Sequence, residues 1–329
     1  MSKNKSIKRS LYILTEGHTE EAYFSRIKEI MGDEDEWKYS VTVEVREIVD
    51  GSKQDPVGMV KEAKKSVKEY GEVWVVFDND SRVDDINRDN KNLEAIELAL
   101  KSKIKVAFSS ISFEEWILLH FERNTTAFQR SDCESRSTRR NPVICNCDGT
   151  ICASTYIKQN HYPNYEKGKA KLYDDLSDKR DRALEFAAWL KYHHSPITNY
   201  HLLNPYTDVD ILVALLFELP TIRYVAINNS FSFEGIDFCV TNLIIANNVV
   251  SISIQTINTS NRTFIFNNVQ QNIKLLDANN IELTYAIPQA TTINTGDSRT
   301  TDIQFSINGQ FHATKVKFQT TDECVYVEL

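Results

Sequence analysis

The order of apolar and polar residues divides the chain into two parts with different periods. In the first part, short apolar runs alternate with amphipathic stretches. LYIL (11–14) precedes a helical pattern over about 18–31, and VTVEVREIV (41–49) precedes one over about 56–70. VWVVF (73–77) precedes a helical pattern near 90–101, and KVAFS (105–109) precedes FEEWILLHF, about 113–121. Short β-branched and aromatic runs predict strands, and a period near 3.6 predicts helices. Four strand–helix alternations predict a parallel sheet flanked by helices. Residues 122–164 lack a clear period and read as an insertion, and helices resume at about 165–192 and 205–218.

Beyond Pro220 the period becomes two: Val250, Ile252, Ile254; Phe264, Phe266; Ile303, Phe305, Ile307; Val325, Val327, Leu329. Asn-Asn and Asn-Gly pairs punctuate these runs, at 228–229, 247–248, 267–268, 279–280 and 308–309. Short alternating strands with frequent turn residues predict an antiparallel, Ig-like β-sandwich of about seven or eight strands. The expected domains are therefore 1–220 and 221–329. A chain of 329 residues suits two domains at ~150 residues each.

Composition sharpens this boundary. Residues 221–329 hold six Lys/Arg and nine Asp/Glu, so most of the chain's 38 basic and 46 acidic residues lie before it. The net charge of −8 argues against a nonspecific nucleic-acid coat. Locally the balance reverses: residues 123–171 carry nine Lys/Arg against four acids. No apolar run reaches the ~18–20 residues that would cross a bilayer. MSKNKSIKRS is not followed by an apolar signal core, so a cytoplasmic protein with reduced cysteines and no membrane partner is expected.

The candidate chemistry lies where strands end. In parallel α/β sheets, ligands gather at the carboxyl ends of strands. Glu16 follows the first strand, with Glu20 in the next helical turn. WVVF (74–77) ends in Asp78 and Asp80, and Glu114 opens the helix after the fourth strand. Converging carboxylates would repel one another without cations, and Mg²⁺ or Mn²⁺ takes such hard oxygen ligands. One or two such ions can activate water and stabilise a phosphodiester in transfer. D-x-D in isolation is a weak motif and more often marks a solvated loop after a strand.

Three ordered motifs add to this. Thr15 to Phe24 reads TEGHTEEAYF, Phe77 to Asp80 reads FDND, and Ser109 to Phe121 reads SSISFEEWILLHF. With NPYTDV (204–209), they resemble the Toprim domain of RloB-like proteins, whose relatives include OLD-family nucleases and topoisomerase–primase domains. The resemblance covers about 10–218. It implies a Mg²⁺-dependent endonuclease cutting nucleic acid, RNA slightly ahead of DNA, in prokaryotic antiphage defence. Carried over, Glu16, Asp78 and Asp80 would be catalytic, and Glu16, Glu20, Asp78, Asp80 and Glu114 would hold the metal. One departure falls before Glu114: the family's Ser-Asn-Pro is replaced by Ser110-Ile111-Ser112.

Basic residues supply candidate phosphate contacts: Lys167 and Lys169 in YEKGKAK, and Arg136, Arg139 and Arg140 in SRSTRR. A solvated face is the alternative for each group. Cys133, Cys145, Cys147 and Cys152 cluster within the insertion and would suit structural Zn²⁺, although their spacing lacks paired C-x₂-C knuckles. Free thiols are the alternative. The β-sandwich could recognise a phage protein or regulatory partner, or mediate homodimerisation. A competing reading of the whole is a catalytically silent Toprim-fold sensor or scaffold binding a nucleotide or protein.

Overall fold

In the computed structural model, the described residues are 8–32, 37–46, 55–80, 86–128, 152–196, 199–233, 235–266, 273–283, 291–307 and 311–329. The chain forms two compact units, Met1–Phe217 and Glu218–Leu329.

The first unit is built on a five-stranded sheet. Its elements are β1 (Arg9–Thr15), α1 (His18–Gly32), β2 (Tyr39–Val45), α2 (Pro56–Ala63), β3 (Glu72–Asp78), α3 (Ile86–Lys101), β4 (Lys105–Ser110) and α4 (Glu114–Leu118). Then come α5 (Ala153–Asn160), α6 (Leu172–Leu176), α7 (Arg180–His193), β5 (Tyr206–Thr207) and α8 (Val209–Leu216). Sheet order is β2-β1-β3-β4-β5. The first four strands run parallel, as the βα alternation predicts. The fifth runs antiparallel, with Ser109 opposite Thr207 and Ser110 opposite Tyr206, so the sheet is mixed rather than wholly parallel. The segment read as one helix over 205–218 thus begins with an edge strand, because Tyr206 and Thr207 complete the ladder beside β4. Within the insertion, 153–160 is helical, burying Ala153, Ser154 and Ile157.

Strand alternation sends apolar side chains to both faces. Tyr12, Leu14, Val73, Val75, Phe77 and Phe108 pack with Val57, Val60 and Ala63 of α2 and Ala95 and Ala99 of α3. Leu11, Ile13, Trp74, Val76 and Ala107 are buried on the other face. Along α1, Tyr23, Phe24, Ile27 and Met31 are buried at helical spacing. Sheets covered on both sides need such continuous apolar strands.

The second unit contains eleven strands among the described residues: β6 (Thr221–Ala226), β7 (Ser230–Phe233), β8 (Ile236–Ala246), β9 (Val249–Ile257), β10 (Phe264–Ile265) and β11 (Ile273–Asp277), followed by β12 (Glu282–Leu283), β13 (Thr292–Ile293), β14 (Ser298–Ser306), β15 (Ala313–Gln319) and β16 (Glu323–Glu328). They form sheets ordered β12-β11-β15-β16-β6 and β14-β9-β8-β7, with β10 and β13 as a separate ribbon. A shared core of Phe238, Val240, Ile252, Ile254, Ile303 and Phe305 from one sheet and Leu275, Val316, Phe318, Val325 and Val327 from the other makes this a β-sandwich. Short edge and ribbon strands raise the count above seven or eight. One pairing departs from the expected antiparallel pattern: β6 and β16 run parallel. Asn228, Asn247, Asn248 and Asn280 take positive φ, the role their turn positions predict.

Candidate functional site

The sheet order brings the acidic motifs together. β3 lies between β1 and β4, with Thr15 paired to Val76 and Asp78 paired to Ser109. The carboxyl ends of three neighbouring strands therefore sit side by side, each followed by acids. Glu16 continues β1, and its backbone N–H donates to the Val76 carbonyl at 2.9 Å. Asp78 ends β3. The chain then turns through Asn79 to Asp80, whose φ of 53° marks the end of strand geometry. The turn is held on β4 by the Asn79 and Asp80 N–H groups, which donate to Ser109 and Ile111 carbonyls at 2.8 and 3.0 Å.

Each carboxylate has a distinct environment. Glu16 accepts the Asp78 N–H at Oε2, 3.0 Å, and Arg88 at Oε1, 3.3 Å. Burial raises its pKa, while Arg88 and the Asp78 N–H work in the opposite sense. Glu20 is 4% exposed and folds back over Gly17: a Cβ on Gly17 would stand 2.8 Å from Glu20 Oε2. Burial first, and then Glu16 and Glu114, push Glu20 up to about 8. Asp78 accepts the Phe113 N–H at Oδ2, 3.0 Å, but its Oδ1 is buried without a hydrogen-bond partner. Its pKa lies well above the usual carboxylate range, through burial first and then through Glu20, Glu16, Glu114 and Asp80. Glu114, 3% exposed, is also subject to desolvation. Lys167, Ser112 and the Tyr165 hydroxyl nevertheless hold its pKa below the ordinary value.

Lys167 reaches this group because its turn is pinned to α1. The Gly168 N–H donates to Thr19 Oγ1 at 3.1 Å, and Gly168 has a φ of +69°. Lys167 Nζ lies 3.1 Å from Glu114 Oε1, and Tyr165 donates its hydroxyl to the same oxygen at 2.8 Å. Lys169 is directed elsewhere, to Asp175 at 2.7 Å and to the Tyr162 hydroxyl at 2.6 Å. The pairing expected for two phosphate-binding lysines thus separates, because residues two apart in a turn face different neighbours.

The remaining sequence candidates fall partly within the described residues and partly outside them. Cys152 is buried, with Sγ 2.9 Å from Thr155 Oγ1. Cys133, Cys145, Cys147, Arg136, Arg139 and Arg140 lie outside the described residues. His18 stays at the surface beside Glu21, and Trp116 is core.

Three groups at this centre were not among the sequence candidates: Arg88, Asn92 and Tyr165. For Asn92 a signal existed. It shares the buried stripe of α3 with Ala95 and Ala99, and a polar residue on an apolar stripe implies a specific partner. Arg88 lies one turn earlier on the same side. Tyr165 had no comparable signal, because it sits in irregular structure.

The donor set consists of hard carboxylate oxygens, with one buried oxygen lacking a partner and mutual repulsion raising several pKa values. This fits a divalent cation in kind. Among the described residues, no three His, Cys, Asp or Glu side chains already stand at metal-ligand spacing. The expected crowding is thus present as electrostatic coupling rather than as a finished ligand cage. Arg88 and Lys167 supply positive charge to Glu16 and Glu114.

Comparison with known families settles the lineage of this unit. A family model described as RloB-like protein matches residues 11–216, more than half of the chain. The chain belongs to the RloB-like family. No curated protein matches it significantly. Among solved structures, the yjhA protein from Bacillus subtilis is 15% identical and aligns over 32% of this chain and 98% of its own, with a TM-score of 0.27. An uncharacterized beta-sandwich protein from Clostridium difficile 630 is 8% identical and aligns over 33% of this chain and 95% of its own, with a TM-score of 0.26. Similarity at that level carries no functional argument. Among the described residues of this RloB-like chain, no helix is long and apolar enough to cross a membrane.

Proposed function

We propose that this RloB-like protein is a cytoplasmic, Mg²⁺- or Mn²⁺-dependent endonuclease of the Toprim type, related to OLD nucleases and serving antiphage defence. The observation that carries the reading is Asp78. Its Oδ1 is buried without a partner, and it lies in the field of Glu20, Glu16, Glu114 and Asp80. Glu16, Glu20, Asp78, Asp80 and Glu114 are the residues that would hold the ion. The bound ion would activate water and offset charge on the phosphodiester. Glu16, Asp78 and Asp80 are the catalytic candidates. Lys167, half-exposed beside Glu114, would meet a substrate phosphate. The preference for RNA over DNA, and the defence role, rest on family resemblance. The second unit, read as Ig-like, is proposed to bind a regulatory or phage protein.

Incubating purified protein with plasmid, single-stranded DNA and total tRNA, with Mg²⁺ and with chelator, tests the reading. Metal-dependent cleavage lost in an Asp78→Ala/Asp80→Ala protein supports it. Equal cleavage by both proteins removes the site assignment.

A catalytically silent scaffold is the second reading. It draws on the pairing of Arg88 with Glu16 and Lys167 with Glu114, which already neutralises part of the charge. Calorimetric titration with Mg²⁺ and Mn²⁺ separates the two, since the scaffold requires no binding that depends on Asp78.

A further inference from the structure

We infer that Arg88 and Asn92, one helical turn apart on α3, are positioning residues that hold the Asp78–Asp80 turn and aim Glu16 at it. This rests on the cation-binding reading above. Arg88 donates from Nε to the Asn79 carbonyl at 2.7 Å and from an Nη to the Asp78 carbonyl at 2.9 Å. The same Nη lies 3.3 Å from Glu16 Oε1. One planar guanidinium thus touches the carboxylate of the first motif and two backbone oxygens of the second. A lysine ammonium could not span three acceptors in that fork.

Asn92 completes the clamp from the next turn of α3. It is fully buried and donates to Asn79 Oδ1 at 2.9 Å and to the Asn79 carbonyl at 3.3 Å. Asn79 then passes the constraint across the sheet, donating to Ser110 Oγ at 3.1 Å and to the His201 carbonyl at 3.4 Å. The middle residue of D-N-D is therefore a structural post, and the aspartates on either side are carried by it. A buried amide is costly unless hydrogen-bonded, and in Asn92 the amide nitrogen is satisfied by Asn79 while Oδ1 is buried without a partner. Its two donated bonds hold the carbonyl and the side chain of Asn79, the residue between Asp78 and Asp80. Outer contacts of this kind typically change metal affinity 10–100-fold when removed.

The test is calorimetric titration of Mn²⁺ into the full chain carrying Arg88→Lys, Arg88→Met or Asn92→Ala, beside metal-free thermal melts. The expected result is at least a 10-fold weaker Mn²⁺ Kd in Asn92→Ala and in Arg88→Lys, which keeps the charge beside Glu16 but loses the fork, while Arg88→Met also removes a cation that competes for Glu16 and weakens binding less. The metal-free melting temperature should shift by only a few degrees. A lowered metal-free melting temperature with an unchanged Kd would show a merely structural role and overturn the assignment. Should an Arg88 variant fail to fold, Asn92→Ala, which removes no charge, decides the question alone. If wild type binds and the variants bind equally, only this assignment falls. If wild type takes up neither Mn²⁺ nor Mg²⁺, the cation reading falls and takes the assignment with it.

Discussion

The two units bury different things. The sandwich packs an apolar core, with Phe238, Ile252, Phe305, Phe318 and Val327 among its members, and the polar residues it buries among the described residues, Thr256, Asn258, Asp277 and Lys315, include no cluster of carboxylates. The α/β unit buries Glu20, Asn79, Asn92, Glu114 and Glu115 as well as its apolar core. Most of these polar residues lie at or just beyond the carboxyl ends of β1, β3 and β4, or on α3 beside them. Apolar burial stabilises without specifying chemistry, whereas buried carboxylates cost stability and need a compensating ligand or proton. The contrast is one of like charge: the first unit gathers mutually repelling buried carboxylates beyond β1, β3 and β4, and that cluster is where function is to be sought.

The largest effect expected from breaking this contrast lies in the sandwich. Phe305 is fully buried, and Phe305→Ala should destabilise the second unit by ~3–5 kcal/mol. Hydrogen exchange on the full chain should show the loss confined to residues after 217, with Mn²⁺ binding unchanged. Next comes chemistry. Asp78→Ala/Asp80→Ala should lower metal-dependent cleavage at least ~100-fold, about 2.7 kcal/mol of barrier, with the circular dichroism spectrum preserved.

A pH series sharpens the comparison from the other direction. Burial, opposed by Asn124 and reinforced by Glu122, raises Glu115 from 4.5 to about 8. The native state therefore keeps a proton that the unfolded state releases above 4.5. That stabilising contribution is full at low pH and is lost as pH climbs toward 8. Burial lowers His120 from 6.5 to about 4, so its contribution is lost in the opposite sense, as pH falls from 6.5 toward 4. Glu115→Gln should flatten the alkaline loss by on the order of 2 kcal/mol and leave the acid limb in place, read from urea midpoints between pH 5 and 8. The smallest effect is local. Asp55 caps α2 by accepting the Val57 N–H at 3.3 Å, and Asp55→Ala should cost about 1 kcal/mol.

Much of the architecture was legible because its signals are local. The runs at 11–14, 73–77 and 105–109 lie within β1, β3 and β4, and the composition shift near Pro220 falls beside the division at 217 and 218. The acids at strand ends were legible for the same reason, since a strand's end is visible in the run that forms it. Arg88 was not, because its partners Glu16 and Asp78 lie 72 and 10 residues away along the chain and meet it only in the fold. Nor was the split between Lys167 and Lys169, which depends on Thr19 and Asp175 rather than on YEKGKAK itself.

By itself the sequence determined the periods, the boundary between units and the placement of carboxylates after three separate strands. Only the tertiary structure decided that β3 lies between β1 and β4, that β5 joins them antiparallel, and that β6 pairs parallel with β16. The physical reason is that an element's pattern is written in consecutive residues. Its neighbours are chosen by contacts among segments far apart in the chain, where loop closure, packing and charge are settled together.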